Sequence, residues 1–563
     1  MREWLQKTHG PLFELVRHFL ASFFESDLIT APGQTVPILI GAFSLFLPWF
    51  SILLAPLRGK YAYLSGLGNP ELYRHAVRAD ELWLITLTMS AVGLLAGVKW
   101  QCLFPGLRDY RSLASLPLQT YHVFMAKLLA LLLVATAAIV PLNLLPGVLF
   151  PMISESRWAT NPSLSARVLV HVFACVAGSY FFFFGLVAIQ GVLLVVLRPR
   201  FFNLLTKYLQ GLLVPAMLAL IVLSFSIQPT IANRVLQPNV ARWLPPVWFL
   251  GLYQWMLGDS DPQMLKLAHL AMGALLISIL LTLATYIVSY HRHRAILVEG
   301  VPATGRSRRL FAVLDWVIPE PHQKAVVSFM IRTLAASAQH RTILMGYLGF
   351  GLAILLSGLA GIRNVVQPGR LIAASFVYAH VVVLIFLLVG FRHLFAIPTE
   401  LGANWIFRIT EQEGRGDWLV AVDRFVLFVG AAGIFLIPFS FEFKLLGWRA
   451  ISELVLLGTF GLLCFDWVFY SWEKLLFTCS HLPAKFPIWN RALQLFGLLT
   501  LLAPMNAILI ACLYNPLLFS AVLVGMFAIW IQLHANRVRA RREVRLKFDE
   551  LPEPAILCLS LLK

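Results

Sequence analysis

Residues 371–393 read LIAASFVYAHVVVLIFLLVGFRH, and no Asp, Glu, Lys or Arg occurs among them before Arg392. A bilayer core about 30 Å thick is crossed by roughly 20 apolar residues of α-helix, so this stretch predicts a membrane span. The whole chain has the same character, because 59% of its 563 residues are hydrophobic, 13% are charged and its mean hydropathy is +0.79. A soluble domain carries about 25% charged residues. The composition therefore excludes a soluble globular protein and a disordered chain, and it predicts an all-α, polytopic transmembrane helical bundle.

Stretches of similar length and hydropathy recur along the chain and predict about 12 spans. The predicted spans are 35–57, 82–99, 125–150, 166–197, 203–228, 265–290, 341–362, 371–393, 418–438, 449–471, 489–511 and 514–534. Before them, Leu12, Val16 and Phe19 recur at helical spacing, while Glu14 and Arg17 occupy other faces. This pattern predicts an N-terminal amphipathic helix that lies in the membrane interface or packs on the rest of the protein.

A basic stretch at 291–340 separates two sets of about six predicted spans, and Gly300, Pro302 and Gly305 give it the composition of a linker. An organisation in two halves is common among transporters. The predicted segments are an N-terminal interfacial helix at 1–33, a first transmembrane half at 34–290, a basic cytoplasmic linker at 291–340, a second transmembrane half at 341–535 and a basic cytoplasmic tail at 536–563.

Lys and Arg are concentrated after the fourth predicted span, in the linker and in the tail. With 12 spans these three segments lie on one side of the membrane, and the positive-inside rule makes that side the cytoplasm. Both termini are then cytoplasmic. The net charge of +18 is explained by this topology and by contact with membrane lipids, and we expect no nucleic acid as a partner.

Each half carries a segment after its second span that mixes charged and apolar residues around a proline. In the first half, residues 108–118 read RDYRSLASLPL, and in the second half, residues 391–401 read FRHLFAIPTEL. We call residues 108–127 the first elbow and residues 391–411 the second elbow. A helix that touches both the membrane surface and a soluble partner needs such a mixture, although an ordinary amphipathic connector has it too.

The Leu116-Pro117-Leu118 core, with Ala126-Lys127 opening the next span, resembles permeases of the type-two family of ATP-binding-cassette exporters. In that family a Leu-Pro-(Leu/Val)-(Ser/Thr) element between the second and third spans forms the coupling helix that contacts the ATPase. Residues 331–335, 346–349 and 243–253 are similar to large bacterial members. Family permeases usually have six spans and dimerise, so 12 spans would be a fused pair.

The resemblance implies a permease subunit in the bacterial cytoplasmic (inner) membrane, driven through its elbows by separate ABC ATPase subunits. The residues then expected to contact the ATPase are Arg108, Asp109, Arg111, Leu116, Pro117, Pro398 and Glu400. Substrate would move by alternating access.

Motifs for catalysis and for cofactors are missing from the sequence. The phosphate-binding pattern G-x-x-x-x-G-K-[ST] does not occur, nor do H-E-x-x-H and C-x-x-C, and the six cysteines are scattered. We therefore expect no enzyme activity, metal or cofactor in this chain, and an ATPase on another polypeptide.

Charged residues inside predicted spans are costly and often functional. Asp466 lies within the tenth predicted span, and Asp423 and Arg424 lie near the start of the ninth. Asp466 either lines a cavity or joins helices, or it reaches water near the cytoplasmic end of its span. His380 is expected to be a hydrogen-bonding core residue, and Glu442 is expected at the outer interface.

Three functions fit this pattern. The leading hypothesis is the permease of an ATP-driven exporter. An ion-coupled secondary transporter is the second, with Asp466 as the group that carries the proton. The third is a polytopic membrane enzyme that acts on a lipid-linked substrate, for which Asp80 and Glu81 are the candidate acids in a wet external loop.

Overall fold

The fold is all-α. The computed structural model describes residues 12–20, 23, 54–104, 120–156, 158, 163–225, 227, 229–299, 320–365, 367, 370–397, 417–470, 472, 476–477, 502 and 504–542. These residues form helices and short connections, and no strand occurs among them. Ten of the helices are long and apolar enough to cross a membrane. The chain is therefore a multi-pass membrane protein.

Contacts between Cα atoms divide the chain into two compact units. Unit 1 comprises Met1–Ala303 and unit 2 comprises Thr304–Lys563, so the boundary falls within the predicted linker. The helices of unit 1 are α1 (12–20), α2 (54–66), α3 (Pro70–Val98), α4 (Thr120–Ile153), α5 (Leu164–Val196), α6 (Pro199–Ser224), α7 (Pro229–Val235), α8 (Pro238–Ala241), α9 (Pro245–Met256) and α10 (Pro262–Glu299).

Helix α5 is the centre of unit 1, because it packs against α3, α4, α9 and α10. A small residue permits one of these contacts, since a Cβ atom added at Gly191 would collide with the side chain of Thr285 on α10. Helix α4 contains Pro141, Pro146 and Pro151 without ending at any of them. Prolines are tolerated in this way in membrane helices because neighbouring groups satisfy the freed carbonyls.

Helix α3 begins 12 residues before the predicted span 82–99, and this moves Asp80 and Glu81 from a loop into a helix. The side chain of Asn69 accepts hydrogen bonds from the backbone N–H groups of Glu71 and Leu72, at 3.1 Å each, and Pro70 occupies the first turn. Asn before Pro is a strong signal for a helix start. The expectation that Asp80 and Glu81 lie in a loop is therefore wrong, because both lie in the third turn of α3 or beyond.

The helices of unit 2 are α11 (Pro321–Ala336), α12 (Ala338–Val365), α13 (Leu371–Leu394), α14 (Asp417–Gly430), a π-helical turn (Ala431–Leu436), α15 (Ile437–Leu446), α16 (Arg449–Val468), α17 (504–512) and α18 (Pro516–Arg542). Helix α13 packs against α12, α14, α15 and α16, and α16 packs against α18. Val381, Leu384, Phe391 and Leu456 belong to the apolar core that this packing encloses.

Two ends of unit 2 can be distinguished by the direction of its helices. At the elbow end, α13 and α16 finish and α14 begins, and α18 finishes there too. At the hairpin end, α15 turns into α16 through Gly447, which has a φ of 60°, and α13 and α18 begin. Residues of the second elbow, up to Ile397, therefore leave the bundle at the elbow end.

The ten candidate membrane helices correspond to ten of the predicted spans. The spans predicted at 35–57 and 489–511 lie largely outside the described residues. The predicted linker contains the last turns of α10, all of α11 and the start of α12. Helix α18 continues through Arg542, so it includes the first residues of the predicted tail.

Candidate functional site

An ionic cluster joins three helices at the elbow end of unit 2. We call it the Arg537 cluster, and its members are Asp423, Asp466, His534, Arg537 and Arg541. Asp423 lies on α14 and Asp466 on α16, while the three basic residues lie on α18. Their spacing of three and four residues places these basic side chains on one face of α18. The cluster therefore joins α14, α16 and α18.

Arg537 is the central group of the cluster. Its guanidinium donates to Asp466 through Nη1, and its Nη2 lies 2.6 Å from Asp423 Oδ1. It is 1% exposed, and the ring of Phe465 lies 4.6 Å from its Cζ atom. Arg541 donates to Asp423 at 2.5 Å, and His534 Nδ1 lies 2.9 Å from Asp466 Oδ2. Every carboxylate in the cluster thus has at least two basic partners.

The cluster is balanced in charge when its acids are ionised. Two carboxylates face two guanidiniums, and arginine remains charged at any pH a protein meets. Breaking a buried pair by removing one partner costs about 3–5 kcal/mol, because the other charge stays buried without compensation. This arrangement suits a fixed joint between helices better than a group that gains and loses protons.

Arg424 is next to Asp423 but has a different partner. Its Nη1 donates to Gln323 Oε1 at 2.6 Å, and Gln323 donates in turn to Glu320 at 2.5 Å. Gln323 is buried on α11, which packs against α14, and Val326 on α11 and Leu419 on α14 belong to the same apolar core. The acidic and basic neighbours at the start of α14 thus connect it to α18 on one side and to α11 on the other.

The residues that enter the second elbow are held by aromatic and backbone contacts. Phe395 is buried between Phe391, Phe469, Trp472 and Phe477, with ring centroids 5.4–6.3 Å apart. Its carbonyl accepts a hydrogen bond from the backbone N–H of Phe477 at 3.1 Å. The next turn is held as well, because His340 Nε2 lies 3.1 Å from the carbonyl of Ile397.

Unit 1 has a similar arrangement around the first elbow. Phe104, at the entry to the elbow, stacks on Tyr286 at 4.5 Å, and the hydroxyl of Tyr286 donates to the carbonyl of Leu103. Residues 120–127 of the elbow form the start of α4, and α1 packs on them, with the ammonium group of Lys127 4.6 Å from the ring centre of Phe19. Helix α1 therefore contacts α4, the helix in which the first elbow ends.

The same relation holds in unit 2, where α11 precedes the first span of that unit and packs on α14, the helix that follows the elbow. Lys127 and Arg424 make the contacts that correspond in the two units, and each lies about two turns into its helix. In both units, a helix that precedes the candidate membrane helices thus packs on the helix at the far side of the elbow.

The sequence-predicted contact residues of the elbows lie outside the described residues. These are Arg108, Asp109, Arg111, Leu116, Pro117, Pro398 and Glu400. Of the predicted intramembrane charges, the structure brings Asp423 and Asp466 together through Arg537 and directs Arg424 elsewhere.

Asp80 and Glu81 are both buried in unit 1 and hydrogen-bonded. Lys60 Nζ lies 2.7 Å from Asp80, and Tyr61 donates to the same carboxylate at 2.6 Å. Gln254 donates to Glu81 at 2.6 Å. Burial, and then the charge of Asp80, raises the pKa of Tyr61 well above its ordinary value, so its hydroxyl keeps the proton that it donates. These acids form a structural network and do not sit in a wet loop.

The sequence analysis missed the basic partners of the cluster and a second group of buried ionisable residues, in the hairpin half of unit 2. That group consists of His380, Glu442 and Glu453, and we call it the His380 triad. Glu442, which is expected at the outer interface, is 4% exposed and contacts His380. Glu453 belongs to no sequence motif. It lies one turn into an apolar helix, and an acid at that depth in a membrane helix is a candidate functional residue.

Comparison with protein-family models, with curated proteins and with solved structures finds no match for this chain. Its function therefore has to be inferred from the chemistry and placement of its own residues.

Proposed function

We propose that this chain is the membrane-spanning permease subunit of an ATP-driven exporter of the ATP-binding-cassette type, with the ATPase on separate cytoplasmic polypeptides. The observation that carries the proposal is a contact found in both units: a short helix before the candidate membrane helices packs on the helix at the far side of the elbow. Residues beside each elbow are packed on the helix bundle. An ATPase that moved an elbow could therefore move the bundle with it.

The composition of the chain and the resemblance of Leu116 to Lys127 to the coupling element of type-two permeases support the same proposal. The chain contains no phosphate-binding loop, so hydrolysis has to occur elsewhere. In this proposal the elbow side is the cytoplasm of a bacterium, both termini are cytoplasmic, and the chain itself is no enzyme.

The proposed mechanism is alternating access. ATP closes the partner ATPases, and their movement reaches the bundles through residues 108–127 and 391–411. Force applied to the second elbow is passed through Phe395 to the aromatic contacts at its entry, and through α14 to Arg424 and the Arg537 cluster. Coupling requires the two conformations to bind ATPase and substrate with different free energies.

The test uses the full chain with candidate ATPases that carry the phosphate-binding and signature motifs. Arg111→Glu and Pro117→Gly are expected to reduce co-purification and to abolish stimulation of ATP hydrolysis. Arg74→Glu is the matched charge reversal, because Arg74 lies at the other end of α3 in an exposed pair with Glu71. Unchanged assembly and stimulation in both elbow variants would count decisively against the coupling role.

An ion-coupled secondary transporter is the second candidate, and one observation favours it. Unit 2 buries Asp466, Glu442 and Glu453 inside apolar helices, and buried acids of this kind form proton pathways in transporters. This function predicts flux without any ATPase and loss of flux when the proton gradient is collapsed. Asp466→Asn would then abolish transport, whereas an ATP-driven exporter would keep its dependence on ATP.

A further inference from the structure

The His380 triad brings three ionisable side chains from three helices into contact inside unit 2. His380 lies on α13, Glu442 on α15 and Glu453 on α16. Nε2 of His380 is 3.1 Å from Glu442 Oε1, and its Nδ1 is 3.6 Å from Glu453 Oε1. Their exposed fractions are 6%, 4% and 1%, so all three are removed from solvent within the protein.

Hydrogen bonding inside the triad is incomplete. Nδ1 of His380 is 2.9 Å from the carbonyl of Phe376, and that carbonyl accepts the hydrogen bond of the Nδ1–H group. The contact of 3.6 Å to Glu453 is too long for a hydrogen bond. Among the described residues, neither carboxylate oxygen of Glu453 has a hydrogen-bond partner. A buried carboxylate without such partners is stable only when a proton or another cation neutralises it.

The triad also has an excess of acid. With both carboxylates ionised and the imidazole protonated, the triad has a net charge of −1. Among the described residues, the ionic contacts that Glu442 and Glu453 make within 4 Å come from His380 alone. One additional proton makes the group neutral, and a neutral group is the form that a buried apolar site favours.

Charged groups on the neighbouring elements are directed elsewhere. At the hairpin end, Lys444 on α15 is exposed, and Arg370 and Arg449 both lie over the ring of Tyr514, at 4.6 and 5.0 Å. Among the described side chains, the charged residues, histidines and tyrosines of the surrounding helices that have separate contacts are Tyr378, His340, Arg341, Tyr347, Arg392, His393, Asp423, Arg424, Asp466, His534, Arg537 and Arg541.

A proton fits this site better than a metal ion or an organic ligand. No group of three His, Cys, Asp or Glu side chains in the described part of the chain has a geometry that could hold a metal. The ring of Phe435, from the π-helical turn, stacks on His380 at 5.4 Å and nearly parallel, and it closes that face of the imidazole. π-Helical turns are frequent at functional sites.

We infer that His380, Glu442 and Glu453 form a proton-binding site that holds one proton in addition to that of the imidazolium, on one of the two carboxylates. Glu442 lies one turn before the α15–α16 connection and Glu453 one turn after it, so the proton exchanges with water at the hairpin end. Release of the proton leaves a net negative charge between α13, α15 and α16, which weakens their packing. The inference is independent of the energy source of transport.

Infrared spectroscopy tests the site directly, with the full chain in lipid nanodiscs. Wild-type protein is expected to show the carbonyl stretching band of a buried protonated carboxyl at neutral pH, and the band should disappear at alkaline pH. Glu442→Gln and Glu453→Gln should each remove it. Glu320→Gln is the control, because Glu320 is exposed and outside the triad, and it should leave the band unchanged. A spectrum without that band at neutral pH, or a band that survives both triad variants, overturns the inference.

Thermal unfolding across pH separates this effect from misfolding. Folded protein would bind more protons than the unfolded chain, in which both glutamates are ionised at neutral pH, so wild-type stability should fall as pH rises. Glutamine imitates the protonated acid. Each variant should therefore match wild type at acidic pH and unfold at a higher temperature than wild type at alkaline pH. A difference between variant and wild type that stays constant with pH would contradict proton binding.

Discussion

The two ionic groups of unit 2 share helix α16 and the segment 417–446, but they differ in the balance of acidic and basic side chains. The Arg537 cluster sets two carboxylates against two guanidiniums, whereas the His380 triad sets two carboxylates against one imidazole. Because arginine does not lose its proton, the two guanidiniums of the first group balance its two carboxylates without an added proton. The second is neutral only while it holds an extra proton. Burial alone therefore does not tell whether an ionic group is a fixed joint or a site of titration.

Two segments connect these groups. Helix α16 carries Glu453 near its start and Asp466 near its end, and the segment 417–446 carries Asp423 and Glu442, with the π-helical turn between them. Both segments thus join the Arg537 cluster at the elbow end and the His380 triad, where we infer the proton-binding site, in the hairpin half. In the proposed permease, the elbow end transmits force, and the hairpin half is where the helices separate.

The largest expected effect comes from Arg537→Ala. This change leaves Asp423 and Asp466 buried without their shared partner, and it should destabilise the protein by about 3–5 kcal/mol. The measurement is thermal or denaturant unfolding in detergent, together with the amount of folded protein in the membrane. The Arg537 cluster should then no longer hold α18 to α14 and α16.

Arg539→Ala is the matched control for that variant, because Arg539 lies on the same helix two residues away and is exposed. Exposed substitutions usually change stability by no more than about 0.5 kcal/mol. Equal losses in the two variants would show that α18 is sensitive to any loss of positive charge, and the distinction between a fixed joint and a titrating site would fail.

The second prediction contrasts an amide substitution in each group. Asp466→Asn removes a charge that Arg537 and His534 compensate, and it should lower the free energy of unfolding by about 1.5–3 kcal/mol at neutral and alkaline pH. Glu453→Gln should cost nothing measurable at acidic pH and should stabilise the protein at alkaline pH. The measurement is the unfolding temperature of each variant relative to wild type as a function of pH. The same pH dependence in both variants would show that the two ionic groups do not differ in titration.

Much of this fold is predictable from the sequence, but the partners of the buried charges are not. Long apolar stretches predict spans because the bilayer sets their length, and ten such helices are observed. Asn69-Pro70 is a local signal for the start of α3, but the span prediction rests on hydropathy, and the charged residues at 71–81 lower the hydropathy there. Asp423 and Asp466 were recognised as costly, yet their contact with Arg537 depends on tertiary packing across more than 70 residues of chain.

Basic residues near a membrane boundary are ambiguous in a sequence. Arg537 and Arg541 fit a cytoplasmic tail under the positive-inside rule, and only their spacing from His534 indicates a common helix face. Glu453 has no comparable spacing partner within its own segment. Its neighbours come from α13 and α15, so the His380 triad follows from packing and not from a motif.

A third prediction concerns the contact between α11 and α14. A double-mutant cycle of Arg424→Gln and Gln323→Ala should give a coupling free energy of about 1 kcal/mol, because the hydrogen bond is charge-assisted but Arg424 is exposed. In both single variants, stimulation of ATP hydrolysis should fall clearly, while the free energy of unfolding should change little. If stability and stimulation fell in proportion, the contact would be structural and would have no part in transmitting force.

The smallest expected effect comes from His534→Gln. His534 contacts Asp466 at 2.9 Å, but 49% of its side chain is exposed, so water screens the pair and its loss should cost about 0.5 kcal/mol or less. The substitution should also leave the pH dependence of unfolding unchanged, because the contact of Asp466 with Arg537 does not involve the imidazole. A change in that pH dependence, measured against the triad variants, would mean that the Arg537 cluster titrates as well. Both ends of unit 2 would then respond to protons, and the elbow end could not act as the fixed joint that transmission from an ATPase requires.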